Sequence, residues 1–244
     1  MNDVGEGNEW TDIRKLWKEG AGYHGDEDGP DFSRPMTHPE MVQVYWETAD
    51  YNPDMLADLY VNFYEFDQVE FMIFKDRLSA AILVANSTRQ SVDKLKAQFE
   101  QEKTDGSHRV PGWEGESDMS LDEKLSIVEN AQEISIGATM LTATAALESL
   151  LRDLTQDGGE LRGGLNQLAK AFVLRHDATS DEEDKIMAMV SKVGKRRNAF
   201  AHTLTGSYWA TEEPEFKFDV ATMHDTLFTI GEIAIAIQAL IDDR

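Results

Sequence analysis

The stretch Lys192-Val193-Gly194-Lys195-Arg196-Arg197-Asn198-Ala199-Phe200-Ala201-His202 is where residue types and spacing best suit chemistry. Four bases, Lys192, Lys195, Arg196 and Arg197, fall within six positions of a chain whose acids outnumber its bases 46 to 23. The formal charge is −23. Such a surface repels nucleic acid and anionic lipid as a whole, so a polyanion would have to bind at a local exception of this kind. On a helix, Asn198 and His202 stand at i and i+4 and share one face. Arg197 and His202 are about 140° apart around the same axis. They make no tight pair on one isolated helix. They could face a common cleft, or meet the same groups from a partner subunit. The plain alternative is structural: basic residues at a helix end complement its dipole, and a lone histidine is often a satisfied structural residue.

Other chemistries find no support. The chain has no cysteine, which excludes disulfides, thiolate-held zinc, iron–sulfur clusters and a cysteine nucleophile. It carries no Walker loop, Rossmann fingerprint, HExxH, GxSxG or kinase signature. None of His24, His38, His108, His176, His202 and His224 stands at i, i+4 from another histidine. Asp181, Glu182, Glu183 and Asp184 resemble a metal cluster only superficially, because they sit at a helix N-terminus where the dipole favours negative charge. No metal and no cofactor is expected. The first twenty residues are polar and broken by Gly5, Gly7 and Gly20, with no apolar core of a signal peptide. No stretch reads as the roughly 18 apolar residues of a membrane span. A soluble, cytoplasmic protein with no membrane partner is expected.

The elements that must position the basic stretch read as helices. Residues 1–36 form an acidic, glycine-rich arm, with a short helical pattern at Trp10, Ile13, Leu16 and Trp17. Residues 37–103 form a helical region of unknown role. Thr37-His38-Pro39 marks a helix start, and Asn52-Pro53-Asp54 a break. Leu83, Val84, Leu95 and Phe99 are its expected core. The aromatic set Tyr60, Phe63, Tyr64, Phe66, Phe71 and Phe74 could stack bases, but its acidic company favours a core or interface. Residues 104–119 are rich in glycine and polar residues and read as a linker. Residues 120–244 form the second region. A capping box at Ser120 and Glu123 opens a long helix with Leu125, Val128, Ala131, Ile134, Ala138, Leu141, Ala145, Leu150 and Leu151 as its stripe. A second box at Ser180 and Glu183 opens a helix carrying Ile186, Met189, Val190 and Val193 straight into the basic stretch. Tyr208–Ala210 and Phe216–Phe218 flank a turn and suggest a small β-hairpin. Met223, Leu227, Ile230, Ala234, Ile237 and Ile241 define a last helix. The fold class is all-α: a helical bundle with a hairpin insertion before the last helix.

Arg197, Asn198 and His202 match the Arg-x4-His motif, in its Arg-Asn-x3-His form, of the HEPN superfamily (higher eukaryote and prokaryote nucleotide-binding domains). Residues 120–244 resemble that family as a whole. A helix containing Ala146-Leu147-Glu148-Ser149-Leu150-Leu151 precedes the motif, as the acid-bearing helix often does there. The resemblance implies a metal-independent endoribonuclease, a toxin or phage-defence effector, working as a homodimer with two motifs in one cleft. It implies His202 as the acid–base group at the 2′-OH or the leaving 5′-oxygen, and Arg197 on the scissile phosphate. Asn198 would orient the histidine or bind the phosphate, and Glu148 would fix the arginine or the histidine. Lys192, Lys195 and Arg196 would contact the RNA backbone. Products would be 2′,3′-cyclic phosphate and 5′-OH ends, and DNA would be spared. An antitoxin or another defence protein is the further partner implied. Where related toxins carry a tyrosine two positions after the histidine, this chain has Leu204. The alternative within the family is a non-catalytic module that binds RNA or a nucleotide, or dimerises.

Overall fold

A computed structural model describes residues 68–155, 163–205 (side chains to 202) and 218–242, with positions 46, 57, 58, 60, 61 and 66. Five long helices and no strand lie among the described residues. They are α1 (Val69–Asp105), α2 (Glu114–Thr155), α3 (Leu165–Arg175), α4 (Ser180–Thr205) and α5 (Val220–Asp242). The all-α bundle expected from periodicity is what forms. The arm, the helix start at Thr37 and the hairpin expected from Tyr208–Ala210 and Phe216–Phe218, all but Phe218, lie outside the described residues.

α1 and α2 run antiparallel, tied along their length by Arg77 to Asp153, Lys96 to Glu129 and Lys103 to Asp122. Residues expected as a linker make the tip of this helical hairpin and the first turns of α2. Gly106 ends α1 with φ 70°, in the left-handed region that a side chain would disfavour. Beyond it, the Arg109 guanidinium donates twice to Asp118, at 2.9 and 3.0 Å. His108 bonds both the Glu102 carbonyl and Asp118, each at 2.7 Å. Hydrogen bonds from Arg109, then His108, hold the Asp118 carboxyl down at about 2. The helix therefore opens at Glu114, six residues ahead of the capping box expected at Ser120, which lies exposed inside α2.

α2 is the central helix and touches each of the other four, while α4 packs between α3 and α5. One apolar core joins all five, from Phe71, Phe74 and Leu78 of α1 to Leu227, Ile230 and Ile237 of α5. Trp46, Tyr60, Val61 and Phe66 join it, with Phe66 stacked on Phe71 at 4.3 Å. Four of the six aromatics singled out in the sequence, Tyr60, Phe66, Phe71 and Phe74, are thus core residues. The expected core of α1 is corrected: Leu83, Val84 and Leu95 are 45%, 65% and 42% exposed, and Phe71, Phe74, Leu78, Ile82 and Ala85 point inward instead. By length and composition α2 and α5 could each cross a membrane, with 18-residue windows of mean hydropathy 1.4 and 1.3, against the sequence expectation. In the bundle 56% and 50% of those windows are buried, as core helices of a bundle are.

Candidate functional site

The α4 start sets the phase of the whole basic stretch. Thr179, one residue before the expected cap, closes the box: its backbone N–H donates to Glu182 at 2.7 Å, and the Glu182 N–H points back to the Thr179 hydroxyl at 3.4 Å. Ile186, Val190, Val193 and Phe200 then face the core. This leaves Gly194, Arg197 and Asn198 toward α3, and Lys195 and His202 toward solvent.

Glu148 is the junction of three helices. It projects from α2, and its Oε1 accepts the backbone N–H of Leu165 at 3.0 Å, satisfying an N–H that α3 leaves free at its start. The same oxygen lies 4.0 Å from the Arg197 guanidinium. Arg197 also donates to the Asn198 side-chain oxygen at 3.1 Å. The acidic residue expected to brace the motif arginine is therefore beside it, with Glu148 16% and Arg197 38% exposed.

A pocket of about 270 Å³ opens at this junction. α2 contributes Thr144 and Glu148, the α3 start contributes Gly164 through Gln167, and α4 contributes Gly194, Arg197 and Asn198. The sequence reading missed Thr144, Asn166 and Gln167. Their only signal in the sequence is the pair Gly163-Gly164 just ahead of α3.

His202 does not line the pocket. It sits one turn beyond Asn198, exposed, and makes no hydrogen bond or ion pair with the described residues. Lys195 is exposed in the same way, three residues before Asn198 and seven before His202.

The other two bases face away from this surface. Arg196 is largely buried, pairs with Asp225 of α5 at 2.5 Å and donates to Thr226 at 3.0 Å. Lys192 pairs with the same Asp225 at 2.8 Å. Burial pushes the Asp225 carboxyl up, but hydrogen bonds from Lys192 and Arg196 outweigh it and the net shift is down. Lys192 and Arg196, expected on the RNA backbone, are thus engaged in joining α4 to α5. Among the described residues no group of three or more His, Asp or Glu is placed to hold a metal.

A second polar cluster lies at the start of α5. The Trp46 indole N–H donates to the Tyr60 hydroxyl at 3.1 Å, and that hydroxyl lies 2.5 Å from His224 Nδ1. Burial raises the Tyr60 phenol above its ordinary range, so it keeps its proton and can donate it to Nδ1. Burial, with the Arg89 charge adding to it, lowers His224 from 6.5 to about 4. The ring is therefore neutral and acts as an acceptor at the edge of the core. Arg89 completes the cluster by donating to the Trp46 carbonyl.

No family model, curated protein or solved structure matches the chain.

Proposed function

We propose that the Arg197, Asn198 and His202 surface of α4 is the active site of a metal-independent endoribonuclease of the HEPN type. The observation that carries this is the Arg197 guanidinium, braced by Glu148 and Asn198 at the mouth of a polar pocket, with His202 open to solvent one turn along. The braced guanidinium presents planar donors to a phosphate and stabilises the charge that grows on its oxygens during attack. The ribose 2′-oxygen forms a bond to phosphorus and the bond to the 5′-oxygen breaks. His202 takes the 2′-OH proton or supplies one to the departing 5′-oxygen. Lys195, on the same exposed side, meets the neighbouring backbone. The cleft is shared by two copies of the chain, and the protein acts as a toxin or phage-defence effector in the cytoplasm, restrained by an antitoxin or another defence partner.

The test is RNA cleavage in EDTA by wild type, His202→Ala and Arg197→Ala, with product ends mapped. Losses of about 100-fold or more in each variant are expected, with cyclic-phosphate ends from the wild type. Cleavage that survives both substitutions would remove this assignment. A second reading has its own support: no side chain among the described residues orients His202, and two of the four bases are tied to α5. That is what a non-catalytic RNA- or nucleotide-binding module would look like. Tight RNA binding without cleavage by a folded dimer would favour it.

A further inference from the structure

The pocket beside Arg197 is larger than a phosphate contact requires. Its volume of about 270 Å³ equals roughly nine water molecules at about 30 Å³ each. Its wall at the α3 start carries a carboxamide, Asn166, that has no hydrogen-bond partner among the described residues. The neighbouring Gln167 folds back over Gly163, where an added β-carbon would come within 3.0 Å of its side chain. Asn166 instead lies toward α4: its Oδ1 is 4.0 Å from where a β-carbon on Gly194 would stand. Among the described residues no other group outside the backbone of α4 itself comes as near to that point, so their packing does not demand a glycine at 194. Glycine also weakens a helix interior. What its missing side chain provides is the open floor between Asn166 and Asn198.

We propose that this pocket seats one unpaired nucleobase, adenine, next to the phosphate that Arg197 holds, and that Asn166 reads its edge. The inference rests on the ribonuclease reading for the bound RNA, and it adds a specificity residue that the motif does not contain. A carboxamide offers one acceptor and one donor side by side, and adenine presents the complementary donor and acceptor at N6 and N7. Single-stranded RNA exposes such edges, whereas a duplex hides them. Guanine would call for an arginine, and the pocket's arginine, Arg197, is the group that holds the neighbouring phosphate.

The experiment measures equilibrium binding of the four nucleoside 3′-monophosphates to the full chain, by calorimetry, for wild type, Asn166→Ala and Gly194→Leu. Adenosine 3′-monophosphate binds tightest, and each substitution weakens it at least tenfold. Asn166 is exposed, so its variant folds even where the leucine at 194 proves disruptive. Equal binding of all four nucleotides, tighter binding of another base, no binding at all, or wild-type affinity in Asn166→Ala would each overturn the proposal. The readout is independent of cleavage. Adenine binding by a chain that cuts no RNA would sink the ribonuclease reading alone. His202-dependent cleavage by a chain that binds no nucleotide here would sink this one alone.

Discussion

Glycine to alanine should have opposite signs at two positions flanking the motif, and the difference follows from distances. Gly137 of α2 is buried against Phe200 of α4. A β-carbon there would fall within 2.5 Å of the ring atoms Cδ2, Cε2 and Cγ, where ordinary contact is near 3.4–4 Å. The ring has to move by about 1 Å or more, and it sits between Arg197 and His202 in sequence, so α4 is strained at the candidate site. Overpacking costs roughly 1–3 kcal/mol. Alanine's better helix propensity returns about 1 kcal/mol. Gly137→Ala should therefore lose up to about 2 kcal/mol. Among the described residues outside the backbone of α4, Gly194→Ala meets nothing nearer than the Asn166 oxygen at 4.0 Å. It should gain up to about 1 kcal/mol from propensity alone. Urea denaturation of both variants, with Phe200→Leu added to Gly137→Ala, measures this. The smaller side chain should recover part of the loss, a coupling that a double-mutant cycle isolates. A Gly137→Ala variant more stable than wild type, by the same increment as Gly194→Ala, would refute the α2–α4 contact on which the placement of the motif depends. If the contact stands, RNA cleavage should also fall, because a displacement of 1 Å in a catalytic group can cost about 100-fold.

His224 makes stability depend on pH. Its folded value of about 4 lies below the unfolded 6.5, so the unfolded chain binds more protons between the two. Stability is full above pH 6.5 and falls by up to about 3 kcal/mol as pH drops toward 4. The difference between wild type and His224→Gln across that range isolates this histidine from the carboxylates; a slope identical in both would contradict its buried, neutral state. At Glu148, the glutamine variant keeps an oxygen for the Leu165 N–H and loses only a part-exposed ion pair, costing about 0–1 kcal/mol. Glu148→Ala strands that N–H and should cost about 1–3 kcal/mol. Equal melting temperatures for the two would mean that the Leu165 bond contributes nothing.

Helices with a polar face were readable from sequence, and helices without one were readable only in part. In α5 the buried Met223, Leu227, Ile230, Ala234 and Ile237 are the residues that spacing selects. In α4 the same holds for Ile186, Val190 and Val193. α1 carries no charge from Leu78 to Thr88, and α2 none from Ile134 to Leu147. Periodicity gives a helix there but no phase, because no charged face marks the outside. Hence Ile134, expected inside, is 49% exposed while Ile136 and Met140 are buried. Packing into the shared core, with α5 against α2 and with Trp46, Tyr60 and Phe66, chose the face, and no local pattern encodes that choice. The turn at 106–113 misled for a related reason. Its glycines signal a chain reversal, and sequence cannot tell a loose connection from a tip pinned by Arg109, His108 and Asp118.

The candidate site divides along the same line. Helical geometry alone separates Arg197 from His202, and the structure has the arginine bordering the α2–α3 junction and the histidine out in solvent. Asn198 bridges the two directions: it borders the pocket with Arg197 and shares an exposed face with His202. The pocket depended on residues more than twenty positions from the motif, Asn166 and Gln167, whose relevance only the packing of α3 on α4 reveals. A phosphate held by Arg197 reaches a histidine about 140° around the helix only if the RNA wraps over Asn198 or if a second chain brings its own His202 across. The first route predicts activity that is linear in protein concentration. The second predicts a steeper dependence and complementation, in which a mixed dimer of Arg197→Ala and His202→Ala chains regains one intact cleft. Activity restored by mixing two dead variants would therefore place the missing half of the site on the partner. Silence from a verified mixed dimer would place both residues on one chain, with Asn198 as the path between them.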